Sequence, residues 1–137
     1  MSTIIEEFRK KSNFYCEKGA LEEEIKKAER ALGLRFADDY TEYLQQFGSV
    51  SCGGHELTGV SEDAELDVVK VTLKNLNRNQ KVSLPLYVVE ETHMDGMVIW
   101  QSESGEVFQT EYEGAPEKIF DSLLEYVSTF TNKEEDV

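Results

Sequence analysis

Cys16, Cys52, His55 and His93 are the only thiols and imidazoles in this 137-residue chain, and only Cys52-Gly53-Gly54-His55 places two of them close together. Catalysis by Cys52 would need a base within hydrogen-bond reach and a third group to orient that base. It would also need a depressed thiol pKa, from nearby positive charge or a helix N-terminus. The sequence instead sets Cys52 after the end of an amphipathic run in a strongly acidic chain, and both features raise a thiol pKa. Zinc would require Cys16 and His93 to converge on Cys52 and His55, and neither carries a partner at ligand spacing. Gly53 and Gly54 have a simpler role, turning the chain from helix into strand. The reading is therefore no catalytic residue, no metal site and no cofactor. No GxGxxG, Walker or HExxH pattern is present. Asp95-Gly96 is a turn signal without the spaced ligands of a calcium loop.

Charge is the least ordinary property. Asp and Glu number 28 against 14 Lys and Arg, a formal charge of −14 with a pI near 4.5. Such a field repels phosphate backbones and anionic lipid, which excludes nucleic acid and membrane surfaces as partners. It attracts a basic protein and speeds encounter with it, or it serves only solubility. No stretch approaches the roughly 20 apolar residues of a membrane span, and the N-terminus lacks a secretory pattern. Two cysteines allow at most one disulfide. A soluble cytoplasmic protein, monomeric when free, is the expectation.

The elements follow from periodicity. Thr3-Ile4-Ile5-Glu6 has capping-box spacing and predicts a short first helix. Residues 13–19 read as a connector. Leu21, Ile25, Ala28 and Leu32 form one helical face ended by Gly33, and Tyr40, Tyr43, Leu44 and Phe47 form another, capped by Asp38 and ended by Gly48. His55–Val60 reads as a strand. In residues 64–80 the stripe Leu66, Val69, Leu73, Leu76 predicts a helix. Tyr87–Glu91, Met97–Gln101 and Val107–Tyr112, separated at hairpin distances, predict an antiparallel meander. From Pro116 the apolar positions through Phe130 predict a closing helix. The sum is a single α+β domain over residues 1–131, with an acidic tail at 132–137.

The order of these pieces resembles the SUKH superfamily, which contains the Smi/Knr-like cell-wall regulators and many bacterial immunity proteins. The similarity runs from about Ala20 to Phe130. The family's L-P-x-x-Y stands here as Phe36-Ala37-Asp38-Asp39-Tyr40, with alanine for proline; Gly48, Gly59 and Leu84-Pro85 match its later positions. These are caps, turns and core, with no catalytic residue among them.

The resemblance implies a binding protein that neutralises a cognate polymorphic or contact-dependent toxin, often a nuclease, by stoichiometric occlusion. An acidic inhibitor suits a toxin with a basic surface. Candidate contacts are Glu62, Asp63, Glu65 and Asp67 before the fourth helix. Around the meander they are Glu90, Glu91, Asp95, Glu111 and Glu113, with Trp100 as core or interface anchor. The alternative is an intracellular scaffold or regulatory adaptor on the same fold; an enzyme would rest on Cys52 and the histidines alone.

Overall fold

The computed structural model describes residues 3–133. Helices α1 (Thr3–Arg9), α2 (Glu22–Leu32) and α3 (Asp38–Phe47) lead the chain, with a two-residue strand β1 (Tyr15–Cys16) between the first two. A hairpin of β2 (Val50–Cys52) and β3 (His55–Glu56) follows, then α4 (Val68–Arg78). Strands β4 (Tyr87–Glu91), β5 (Met97–Gln101), β6 (Val107–Glu111) and β7 (Glu117–Phe120) come next, and α5 (Leu123–Ser128) closes the chain. Both sheets are antiparallel, in the orders β1-β2-β3 and β4-β5-β6-β7. Leu57 bridges Glu90, and the Thr58 amide donates to the Val89 carbonyl, so the small sheet leans on the outer edge of the large one. This is the expected α+β fold with its meander and C-terminal helix.

α3 organises the core. Tyr40, Tyr43, Leu44 and Phe47 recur at helical spacing, and all four are buried. Gly48 ends the helix at φ +75°, and its carbonyl passes so close to Gly59 that a Cβ there would lie 1.7 Å from it. The obstacle is backbone, so both positions require glycine. The first residue of α3 is Asp38, and Ala37 is the cap. Asp39 does the tethering: its carboxylate accepts from Gln101 Nε2 at 3.0 Å and from the Leu123 amide at 2.9 Å, joining α3 to β5 and α5. The Ala37 amide donates to the Tyr87 hydroxyl at 2.9 Å, a bond that a proline at this position has no N–H to make.

Four elements differ from the sequence expectation. The connector at 13–19 contains β1, and the strand expected at His55–Val60 shortens to His55–Glu56, because Leu57 and Thr58 leave the hairpin to bond Glu90 and Val89 of β4. On α4 the buried residues are Val68, Val71, Thr72 and Asn75; Leu73 is exposed. Polar residues face inward there because each has a partner. Thr72 Oγ1 accepts from the Val88 amide at 2.9 Å, and Asn75 Nδ2 donates to the Val71 carbonyl. The predicted long closing helix is split: Glu117–Phe120 pairs with β6 as the fourth strand, and Ser122 caps a six-residue α5 by accepting from the Glu125 amide. Adjacent Ile119 and Phe120 satisfied either period, and the unpaired edge of β6 selected the strand. The proposed cap at Thr3 and the tail residues 134–137 involve positions outside the described side chains. Asn132 and Lys133, placed in that tail by the sequence, pair with Lys11 and Lys10.

Leu44 is fully buried, so Leu44→Ala is expected to cost about 2–5 kcal/mol in urea unfolding, the range for such truncations. A variant as stable as the parent would put this helix on the wrong face. Burial also raises the hydroxyl pKa of Tyr40, Tyr43, Tyr87 and Tyr126 above the ordinary tyrosine value. An acid whose folded pKa exceeds its unfolded one binds its proton more tightly when folded. Its stabilisation is complete below the unfolded pKa, near 10, and is lost as pH rises beyond it. Circular dichroism and tyrosinate absorbance followed together above about pH 10 should show these four hydroxyls ionising only as the fold is lost.

Candidate functional site

The Cys52–His55 turn does not form a catalytic centre. Cys52 and His55 are cross-strand partners in the β2–β3 hairpin, and the glycines between them both take positive φ, the backbone a two-residue hairpin turn demands. Cys52 is buried in the core, and its thiol has no hydrogen-bond partner among the described residues. Burial pushes its pKa up to about 12; Lys11 opposes and Glu90 reinforces the shift. His55 turns away to Glu90. A carboxylate only accepts, so the ring's Nδ1 donates to Glu90 Oε2, at 3.0 Å. The Tyr126 hydroxyl donates to Glu90 Oε1. The His55 ring stacks on Phe130 with centroids 3.7 Å apart. Phe130's carbonyl in turn accepts from the ammonium of the fully buried Lys11, which also reaches Glu7 and Asn132, each at 2.8 Å. The histidine and its carboxylate are thus part of a latch that fastens the C-terminal segment to α1 and the hairpin. Cys16 and Cys52 are both free thiols.

The more open chemistry lies on the other side of the large sheet. There Val71 of α4, Val82, Val88 and Trp100 form a second, smaller apolar cluster. Beyond its edge, between the C-terminal half of α4 and the β4–β5 and β5–β6 strands, runs a groove of about 370 Å³. Val98, Trp100 and Met97 lie along its floor, while Asn75, Arg78 and Tyr112 form its walls. A narrower depression of about 100 Å³ adjoins it and shares Glu91 and His93 as a common wall. Glu56, Asp63 and Glu65 line this second space. Glu91 is held in place from α4, by Lys74 Nζ at 3.2 Å and Asn75 Nδ2 at 2.8 Å. By contrast, Glu56, Asp63 and Glu65 have no ion-pair partner among the described residues.

The rim of the groove is built from unusual backbone. His93, Asp95 and Tyr112 are non-glycine residues at φ +58°, +52° and +52°, joined by Gly96 at +66°. Such conformations cost energy and gather at functional positions. They hold two large apolar side chains in water, Met94 at 63 % and Tyr112 at 69 % exposure. The Tyr112 ring lies against Gly96, so close that a Cβ there would meet it at 2.4 Å.

The structure brings Asp63, Glu65 and Glu91 together at the narrow depression, and Glu113 joins Glu91 around the larger one. Asp95 and Glu111 are exposed beside the same rim. Glu62 is separate, facing a cleft with Lys18 and Leu21. Asp67 caps α4 by accepting from the Lys70 amide. Glu90 and Trp100 require correction as surface contacts. Glu90 is 3 % exposed inside the latch, and Trp100 is fully buried, its indole N–H donating to Thr110 Oγ1 at 3.0 Å. Sequence reasoning did not select Glu56, His93, Met94 or Tyr112. The available signal was Met94-Asp95-Gly96, whose turn places its first residue in solvent.

The helical layer, the two antiparallel sheets and the closing helix define an α+β domain of SUKH type. The chain belongs to that family: the model of SUKH_5, described as SMI1-KNR4 cell-wall, matches residues 1–131. No match was found among curated proteins. Among the described residues no group of three or more His, Cys, Asp or Glu is arranged to hold a metal ion. No helix among them is long and apolar enough to cross a membrane.

The state of Cys52 is directly measurable. With a thiol pKa near 12, the thiolate fraction at pH 8 is on the order of 10⁻⁴. A thiol-reactive chromogen at that pH should titrate Cys16 in the folded protein and Cys52 only after guanidinium is added. Rapid reaction of both thiols in the native state would contradict the burial.

Proposed function

We propose that this chain is a cytoplasmic immunity protein, which binds a toxin domain with a basic surface and neutralises it by stoichiometric occlusion. The reading rests on one combination: membership of the SUKH family, together with carboxylates left without cation partners around a groove with exposed apolar residues on its rim. A nuclease fits best as the toxin, since surfaces built for phosphate are basic. Binding would then need no chemistry from the inhibitor. The buried, protonated thiol of Cys52 and the structural engagement of His55 support a non-enzymatic role. The family's cell-wall description favours a second reading, an adaptor in a regulatory assembly. Genomic position separates the two, because a toxin gene directly upstream belongs to the first alone.

Co-expression with the product of the adjacent gene, with growth as readout, tests the proposal. Rescue of growth and a purified one-to-one complex are expected. Cys52→Ser and His55→Ala should protect as well as the parent wherever they remain folded. Association should slow at least about tenfold as salt rises from about 0.01 to 0.5 M, with a much smaller change in dissociation. Absence of a complex with that product would overturn the immunity reading.

A further inference from the structure

Resting on that binding role, we propose that the groove between α4 and the β4–β5 turn is the docking surface, and that it takes an exposed arginine-plus-apolar pair on a basic segment of the partner. The two joined spaces differ in chemistry. In the narrow one, Glu56, Asp63 and Glu65 face a space of about 100 Å³, the liquid volume of about three waters at roughly 30 Å³ each. One cationic side chain fills such a space, and three carboxylates without cation partners complement it. The larger space has Val98 and Met97 beneath it, with the fully buried Trp100 behind them, and Tyr112 at its mouth. A large apolar side chain would cover these surfaces and remove exposed Tyr112 from water.

The register of the two groups is fixed by charge. In the larger space Arg78 stands against Glu113, and Glu91 is already engaged by Lys74, whereas the narrow space has three further carboxylates and no Lys or Arg in its lining. The partner's cation is therefore sent to the narrow end and its apolar neighbour to the broad one. The rim also has the character of a binding hot spot: an exposed aromatic presented by a strained, defined backbone loses little freedom on docking. The interface is thereby confined to one face, which the −14 charge alone does not do.

The test needs no toxin. The probe is the synthetic peptide acetyl-Arg-Leu-Arg-Leu-Arg-amide, added to the full chain. Two controls accompany it, one with every arginine replaced by glutamate and one with every leucine replaced by glycine. The chain has a single tryptophan, so the fluorescence of Trp100 reports the floor of the groove, and amide shifts locate the rest. The Arg-Leu peptide should give saturable binding, with the largest shifts at Glu56, Glu65, His93 and Tyr112. Each control peptide should bind at least about fivefold more weakly. Glu56→Gln with Glu65→Gln, and separately Tyr112→Ala, should each weaken it at least about threefold. Glu22→Gln with Glu23→Gln removes the same charge from α2 and should leave affinity within about twofold.

No saturable binding, shifts centred elsewhere, or equal losses from the α2 control would overturn the groove assignment. A toxin neutralised equally well by all these variants would also overturn it, while leaving the immunity reading intact. Peptide binding in the groove without rescue of growth would do the reverse.

Discussion

Thr58 is the point at which the helical layer is fastened to the sheets, and its single side-chain proton sets the order of the bonds around it. That proton goes from Oγ1 to the Val88 carbonyl at 2.8 Å, so the Tyr40 hydroxyl, 2.9 Å away, must donate to Oγ1. The Tyr43 hydroxyl donates to the Thr58 carbonyl and accepts from the Val50 amide, while the Thr58 amide serves Val89. Every polar atom of one small residue is thus engaged by α3, by β4, or by the tyrosine that also holds β2. Losing any one partner strands a buried group at about 1–3 kcal/mol. The same residue lines the acidic depression, so the shape of that space depends on the knot behind it.

Charge is distributed in the opposite manner inside and outside. Buried Lys11 spends all three ammonium protons on Glu7, Asn132 and Phe130, and buried Glu90 accepts from both Tyr126 and His55. Removing a partner from either would leave an uncompensated charge in a poor solvent for it. At the groove, carboxylates stand in water with their fields open, where they cost little and act at a distance. The chain therefore places one kind of residue in two settings, paired in the interior and open to solvent at the surface. The hydrogen-bond partners, not the residue type, decide which.

Much of this architecture was legible because it is written in periods. The tyrosines of α3 repeat at helical spacing, and the three meander strands are bounded by glycine turns, so both emerge from local pattern. The inward face of α4 was not legible, since Thr72 and Asn75 become core residues only through Val88 and Glu91, which are distant in sequence. The β7 strand was hidden for a related reason. Ile119 and Phe120 suit a helix equally well until β6 offers an unpaired edge. Of the candidate contacts, Glu90 looked like its neighbour Glu91, yet a bulge between Val88 and Glu90 and the position of Tyr126 turn one inward and leave the other at the groove. The acidity was legible as a total; the meeting of Glu56, Asp63, Glu65 and Glu91 at one depression is a property of the fold.

The crossing of Gly48 and Gly59 sets a limit on how this family of shapes can diverge. At most positions a larger residue can be accommodated by trimming its neighbour, and lineages wander through such exchanges. Here what a new methyl group at 59 would strike is a carbonyl oxygen 1.7 Å away, which no substitution can remove. A methyl at 48 would likewise meet the Lys18 carbonyl at 2.2 Å. The crossing has no compensating partner to evolve. Side chains around the groove can be exchanged one at a time against their neighbours, whereas these two positions admit glycine alone whatever surrounds them.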